Sequence, residues 1–283
     1  MDFIKPADVV KTMVAAGHTK AGLSVRDLLI RGFLSGALLG FATSLALTGA
    51  AQTVPLVGAL IFPVGFVMIV LLGLELVTGS FAITTLSAVD GTRSWRMVGT
   101  NLGWVFLGNL LGSLAYGALL YVVLTGMGTE APAALGAKIA SIAEAKTTGY
   151  ATHGFAGLVT VFVKAILCNW MVCMGVVMAM TSQSTVGKIV AAWLPILTFF
   201  GQGFEHSVVN MFVIPAGMMM GAKVSLSDWW LWNQLPVTAG NFVGGFLFTG
   251  LALYWTYRPV KAMSSVEPSP VSSSAVATDP VRG

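Results

Sequence analysis

Stretches of about 20 apolar residues recur along the whole chain, and this recurrence limits the fold more than any other feature. Six are read, at residues 27–49, 55–86, 97–125, 155–181, 188–221 and 236–257. Charged residues make up only 9% of the 283, against roughly 25% in soluble proteins. The pattern predicts an all-α polytopic membrane protein whose core, residues 27–258, is one membrane domain. The second and fifth stretches are too long for one plain crossing, and each carries a polar cluster near its middle or end.

Residues 1–26 are polar and hold no apolar run, so the first span is expected to act as the insertion signal, with no cleavable leader. About Lys5–Ala21 reads as an amphipathic helix lying on the membrane surface. Residues 259–283 are rich in Ser, Pro, Val and Ala and are expected to form a disordered cytoplasmic tail. Six spans put both termini on one side. Lys5, Lys11, Lys20, Arg26, Arg31, Arg93, Arg96, Lys188, Arg258, Lys261 and Arg282 share that side, and only Lys138, Lys146 and Lys223 fall opposite. That asymmetry predicts cytoplasmic termini in an inner (plasma) membrane. Lys164 falls within a span and reads as a structural or interface cation. The net charge of +4 lies at helix ends, so it is no sign of nucleic-acid binding. Cys168 and Cys173 point to different faces of one helix, so neither a disulfide nor a metal site is expected, and no cofactor is implied.

Residues 203–210, Gly-Phe-Glu-His-Ser-Val-Val-Asn, place Glu205, His206 and Asn210 inside an apolar stretch. Ionisable groups in lipid are costly and usually face a protein-lined cavity, which marks a transport pathway; a dry structural histidine is the alternative. The two halves of the chain resemble each other. Gly73-Leu74-Glu75-Leu76-Val77-Thr78 matches Gly203-Phe204-Glu205-His206-Ser207-Val208, and Gly108-Asn109-Leu110-Leu111-Gly112 matches Gly240-Asn241-Phe242-Val243-Gly244. Three spans per half require the halves to be inverted, with a site between them near the midplane. Glycine breaks both helices, with unwinding expected around Thr78-Gly79-Ser80. Glu75 and Glu205 are read as braces that accept bonds from the freed backbone N–H groups, rather than as proton carriers. Asn109, Asn210 and Asn241 are read as braces too. His206 has no second histidine opposite it, because its counterpart is Leu76.

With these residues assembled, the chain resembles the formate/nitrite transporter family over nearly all of residues 5–258. Phe62-Pro63-Val64-Gly65, the Gly73–Thr78 segment, Leu167-Cys168-Asn169-Trp170-Met171-Val172-Cys173, Gly203–Asn210 and Gly240-Asn241 carry the likeness. The resemblance implies an aquaporin-like protomer with broken second and fifth helices, in a homopentamer with one pore per protomer. It implies passage of small anions, formate or nitrite and in some members hydrosulfide or lactate, with protons and the lipid bilayer as the other partners. His206 matches the central pore histidine and Thr78 the threonine facing it. Phe62 and Phe199 fall at the outer constriction; Phe66, Leu76, Val77, Asn169 and Val172 fall at or near the inner one. No Asn-Pro-Ala occurs, which argues against a neutral-solute aquaporin. An enzyme using Glu205 and His206 would need a further nucleophile or metal ligand, and none is evident.

The family's outer-vestibule lysine falls at His153 when counted back from Cys173. Lys146 would take that place if a short insertion intervenes and the fourth span extends that far. A histidine with an ordinary pKa of about 6.5 is mostly neutral at pH 7. If His153 holds this place, anion flux should fall between pH 5 and pH 8, and His153→Lys should flatten the profile; identical profiles would exclude the residue.

Overall fold

The computed structural model describes residues 2–258; the tail expected at 259–283 lies outside them. Among the described residues the chain is helical throughout, and its only β pairing is an isolated bridge between Phe3 and Ser182. Four helices among the described residues are long and apolar enough to cross a membrane. They are α2 (Val25–Gln52), α6 (Trp95–Thr125), α9 (Gly154–Ala179) and the continuous helix Leu226–Tyr257. The last is built from α12 (Leu226–Trp229), α13 (Leu235–Gly245) and α14 (Ala252–Tyr257), joined by π turns at Trp230–Gln234 and Phe246–Leu251. The chain is a multi-pass membrane protein.

Between these lie two broken segments. The first runs α3 (Pro55–Ile61), α4 (Pro63–Leu71) and α5 (Val77–Val89). The second runs α10 (Thr185–Gly201) and α11 (Ser207–Met219). Both break in the same way. Gly73 and Gly203 take left-handed φ of 61° and 65°. Leu74 N–H then reaches back to Ile69 O (3.0 Å) and Gly73 N–H to Val70 O (3.2 Å). Phe204 N–H to Phe199 O (3.2 Å) and Gly203 N–H to Phe200 O (3.0 Å) repeat this pair. This is a Schellman ending, which a side chain with a Cβ would strain. The unwinding therefore precedes Thr78-Gly79-Ser80, which form the first turn of α5. The hydroxyl-bearing residues sit at a helix start, and Gly73, before them, makes the break.

The helix N-termini inside the protein need acceptors. Val77 N–H donates to Asn109 Oδ1 (2.9 Å), and Ser207 N–H donates to Asn241 Oδ1 (2.8 Å). Each amide also donates twice: Asn109 Nδ2 to Gly32 O and Glu75 O, both at 2.9 Å, and Asn241 Nδ2 to Ala165 O (2.8 Å) and Glu205 O (2.9 Å). The freed N–H groups are thus held by asparagines rather than by the glutamates, whose carboxylates are engaged elsewhere.

Helix α1 (Pro6–Ala21) buries Val9, Val10 and Met13 with Ile83, Leu86 and Tyr254. Its apolar face covers α5 and α14 instead of lying on lipid. The sequence pattern places no helix between residues 126 and 154, yet α7 (Ala134–Lys146) and the one-turn α8 (Thr148–Ala151) stand there. Only Gly136, Ile139 and Ala143 are buried on α7, too sparse a stripe to register as an apolar run.

Close helix crossings depend on glycine. A Cβ at Gly112 would meet the Phe33 carbonyl, and one at Gly244 would meet the Ile166 carbonyl. Gly108 and Gly240, one turn earlier, are likewise closed in by backbone. Small residues four apart allow membrane helices this approach. Gly112→Leu should therefore prevent accumulation of folded protein, whereas Gly99→Ala, with nothing within 4 Å of its Cβ, should behave as wild type in fluorescence-detected size-exclusion chromatography.

Candidate functional site

The two breaks meet at their restarting helices. Thr78 Oγ1 lies 3.1 Å from His206 Nε2, with the two residues only 0% and 2% exposed. His206 is also the N-cap of α11, where its Nδ1 accepts from Val209 N–H at 3.2 Å. A nitrogen that accepts carries no proton. In the neutral ring the proton is therefore on Nε2, which donates to Thr78 Oγ1. That leaves the Thr78 hydroxyl hydrogen free to point elsewhere. The Thr78 carbonyl accepts from Asn169 Nδ2 (3.0 Å) and from Cys173 Sγ (3.2 Å). Asn169 Nδ2 also reaches Asn241 O (2.6 Å), and its buried Oδ1 has no protein partner.

Aromatic and aliphatic side chains close around this contact. The Phe199 ring stacks on His206 with centroids 5.7 Å apart, and Phe62 meets Phe199 edge-on at 5.8 Å. Phe66, Leu76, Val77 and Val172 are buried in the same core. Two cavities flank it. The first, about 580 Å³, is lined by Lys20, Phe66, Leu76, Gly79, Ser80, Val176 and Lys188 among others. The second, about 750 Å³, is lined by Lys146, Tyr150, His153, Lys164, Gly203 and Glu205 among others. Of the residues expected at the constrictions, Phe66 and Leu76 line the first cavity. Phe62, Phe199, Val77, Asn169 and Val172 line neither and belong to the closed region with Thr78 and His206.

Each glutamate holds a lysine from the end of a short helix. Lys20, in the last turn of α1, places Nζ 2.8 Å from Glu75 Oε1. Lys146, the last residue of α7, places Nζ 2.7 Å from Glu205 Oε2. Asn101 Nδ2 donates to Lys20 O (2.8 Å), as Asn233 Nδ2 does to Lys146 O (2.9 Å). The second site is more fully bonded. Tyr150 Oη (2.8 Å) and Asn210 Nδ2 (2.8 Å) also donate to the Glu205 carboxylate, whereas Glu75 Oε2 has no protein partner.

Lys146 is not on an extension of α9. That helix begins at Gly154, with φ 54° and His153 as its N-cap, and Lys146 belongs to α7. Lys146 and His153 nonetheless line one cavity, and Lys146 is the one that reaches the loop. Lys164 lines it as well, with Nζ 5.7 Å from the Tyr150 ring centroid. Sequence reasoning missed Lys20, Tyr150, Asn101 and Asn233. The separations carried a signal, for Lys20 precedes Glu75 by 55 residues and Lys146 precedes Glu205 by 59.

Residues 7–255 match the family model described as formate/nitrite transporter. The chain belongs to that family. It is 37% identical over 273 residues to a probable formate transporter of Methanothermobacter thermautotrophicus, covering 90% of this chain and 97% of that one. It is 31% identical to the formate channel FocA of Escherichia coli K12, over 90% of this chain and 94% of the relative. Among solved structures, an FNT family ion channel superposes with a TM-score of 0.77 at 31% identity, covering 89% of this chain and 99% of that one. A pentameric formate channel with formate bound superposes with a TM-score of 0.66 at 25% identity, covering 82% and 97%. Members of this family are transporters and channels.

Removing one partner of a buried ion pair costs about 3–5 kcal/mol, because the other charge is left uncompensated. Lys146→Met should therefore lower thermal stability in detergent markedly, and adding Glu205→Gln should restore part of the loss. Equal melting temperatures for the wild type and Lys146→Met would show that the pair does not brace the loop.

Proposed function

We propose that this protein is a pore for small monovalent weak-acid anions, formate foremost, with nitrite or hydrosulfide as alternatives in the same pathway. The observation that carries this reading is the Thr78–His206 contact, closed off by Phe62 and Phe199 and flanked by two lysine-lined cavities. The matched break geometry and the matched asparagine and lysine bonds support two inverted three-span halves in an aquaporin-like protomer. Six crossings then leave both termini in the cytoplasm, with the first cavity facing inward and the second outward across a plasma membrane. Residues 27–258 form the channel domain. The pentameric formate channel among its structural neighbours supports a homopentamer with a pore in each protomer.

The geometry suggests how an anion crosses. An unpaired charge cannot enter an apolar slit without a cost of many kcal/mol, and protonation removes most of it. The cavity lysines favour the anion up to the slit. There the Thr78 hydroxyl, already receiving the Nε2–H bond, is free to donate to a substrate oxygen. His206 supplies orientation more readily than protons. Its one N–H is committed to Thr78, and a second proton on Nδ1 would face the Val209 N–H. The proton that neutralises formate is then drawn from water in the cavity, and formic acid carries it across.

In proteoliposomes, formate uptake should acidify the lumen, and nitrite, lactate and hydrosulfide compared side by side would rank the substrates. His206→Ala should change formate flux about tenfold, the equivalent of one lost hydrogen bond of about 1.4 kcal/mol. His206→Asn, which keeps an N-cap acceptor, separates loss of the ring from loss of the helix start. Unchanged flux and pH response in both variants would remove His206 from the pathway.

A further inference from the structure

We propose that Gln234 is a positioning residue for His206, acting through Ser207, and so sets how the ring meets Thr78. This rests on the channel reading above. The residues on either side of His206 are both held from the π turn at Trp230–Gln234. Asn233 Nδ2 reaches the Glu205 carboxylate at 3.4 Å, and Gln234 Nε2 donates to Ser207 Oγ at 2.9 Å. Both amides are buried. π turns are rare and collect at functional sites. Trp229 Nε1 lies 3.2 Å from Gln234 Oε1. An indole nitrogen only donates, so the amide oxygen faces it, and the amide nitrogen faces the hydroxyls of Ser207 and, at 3.2 Å, Thr238. The Thr238 hydroxyl donates to Gln234 O at 2.7 Å, so in the 2.9 Å contact between the two hydroxyls Ser207 is the donor. Every side-chain hydrogen of the cluster is thereby committed, and the Ser207 side chain is held in one orientation.

Ser207 N–H is fixed by Asn241 Oδ1, so the residue after His206 is pinned at backbone and side chain alike. That anchors the backbone from which the ring projects toward Thr78 Oγ1, 3.1 Å away. The first half lacks this cluster. In the register that pairs Asn109 with Asn241, Asn101 answers Asn233, and both hold a lysine carbonyl. Leu102 and Phe106, however, stand where Gln234 and Thr238 do, and Val77 stands for Ser207. Helix α6 also runs through this region without a π turn. A brace needed only to close a break would serve both halves alike. The second amide instead accompanies the one break that carries the histidine ring.

The test uses Gln234→Leu, which installs the first half's residue, in the full-length protein. NMR of the detergent-purified, ¹⁵N-histidine-labelled protein reads the His206 ring, whose signals are identified by their absence from His206→Asn. Gln234→Leu should shift or double these signals while those of His18 and His153 stay in place. In proteoliposomes its maximal formate flux should fall about fivefold, the scale of one hydrogen bond, with half-saturation held within about twofold. Ser207→Ala should do the same, and the double variant should fall no further than either single one, since all remove the same contact. Unmoved ring signals would overturn the proposal, as would undiminished flux in Gln234→Leu where the wild type carries formate, or additive losses in the double variant. If Gln234→Leu does not fold, Ser207→Ala decides on the same two readouts. Displaced ring signals in a protein whose wild type carries no formate would leave the positioning role standing and overturn the channel reading.

Discussion

Two buried asparagine side chains hold the molecule in its shape. A helix broken inside a membrane exposes backbone donors and acceptors that no water or lipid can satisfy, so each break must be closed by protein. Asn109 and Asn241 do this with the same three bonds, one accepted from the restarting helix and two donated to carbonyls of the break and of a neighbouring helix. The amide is the smallest side chain that offers an acceptor and two donors at once. With the breaks closed, Thr78 and His206 can start their helices facing each other.

Charge is organised around the same breaks. Each loop carries a buried carboxylate and borrows a lysine from a short helix that precedes its half. Buried ion pairs are weak evidence for stability in general, but here they tie otherwise separate pieces to the loops. Helices α1 and α7 would otherwise be peripheral. Through Lys20 and Lys146 they line the two cavities beside the Thr78–His206 contact.

Much of this was legible in the residues. Apolar length and the recurring Gly-x-Glu and Gly-Asn patterns located the long helices and the two broken segments, and the family resemblance set Thr78 opposite His206. The errors have physical causes. The breaks were read at Gly-Leu-Glu and Gly-Phe-Glu, and the left-handed Gly73 and Gly203 end their helices there. The unwinding was carried too far, to Thr78-Gly79-Ser80, because hydroxyls and glycine look like a place of unwinding, whereas these residues start α5. Helix α7 escaped notice because a short helix docked on protein needs only a few buried residues. The lysine partners escaped because an ion pair across more than fifty residues leaves no local pattern.

His206 holds two offices at once. Its Nε2 meets Thr78 Oγ1, while its Nδ1 receives the first turn of α11. In the other half that turn begins at Leu76, which offers no side-chain acceptor, and α5 relies on Asn109 alone. The ring at the meeting point of the two breaks is therefore also a nail in the scaffold. A lineage that drifts toward another substrate is not free to explore every residue here, since a side chain that suits the new solute but cannot receive Val209 would unseat the helix along with the chemistry. Change on this fold is then more readily accommodated at cavity-wall positions whose side chains hold neither a loop nor a helix end.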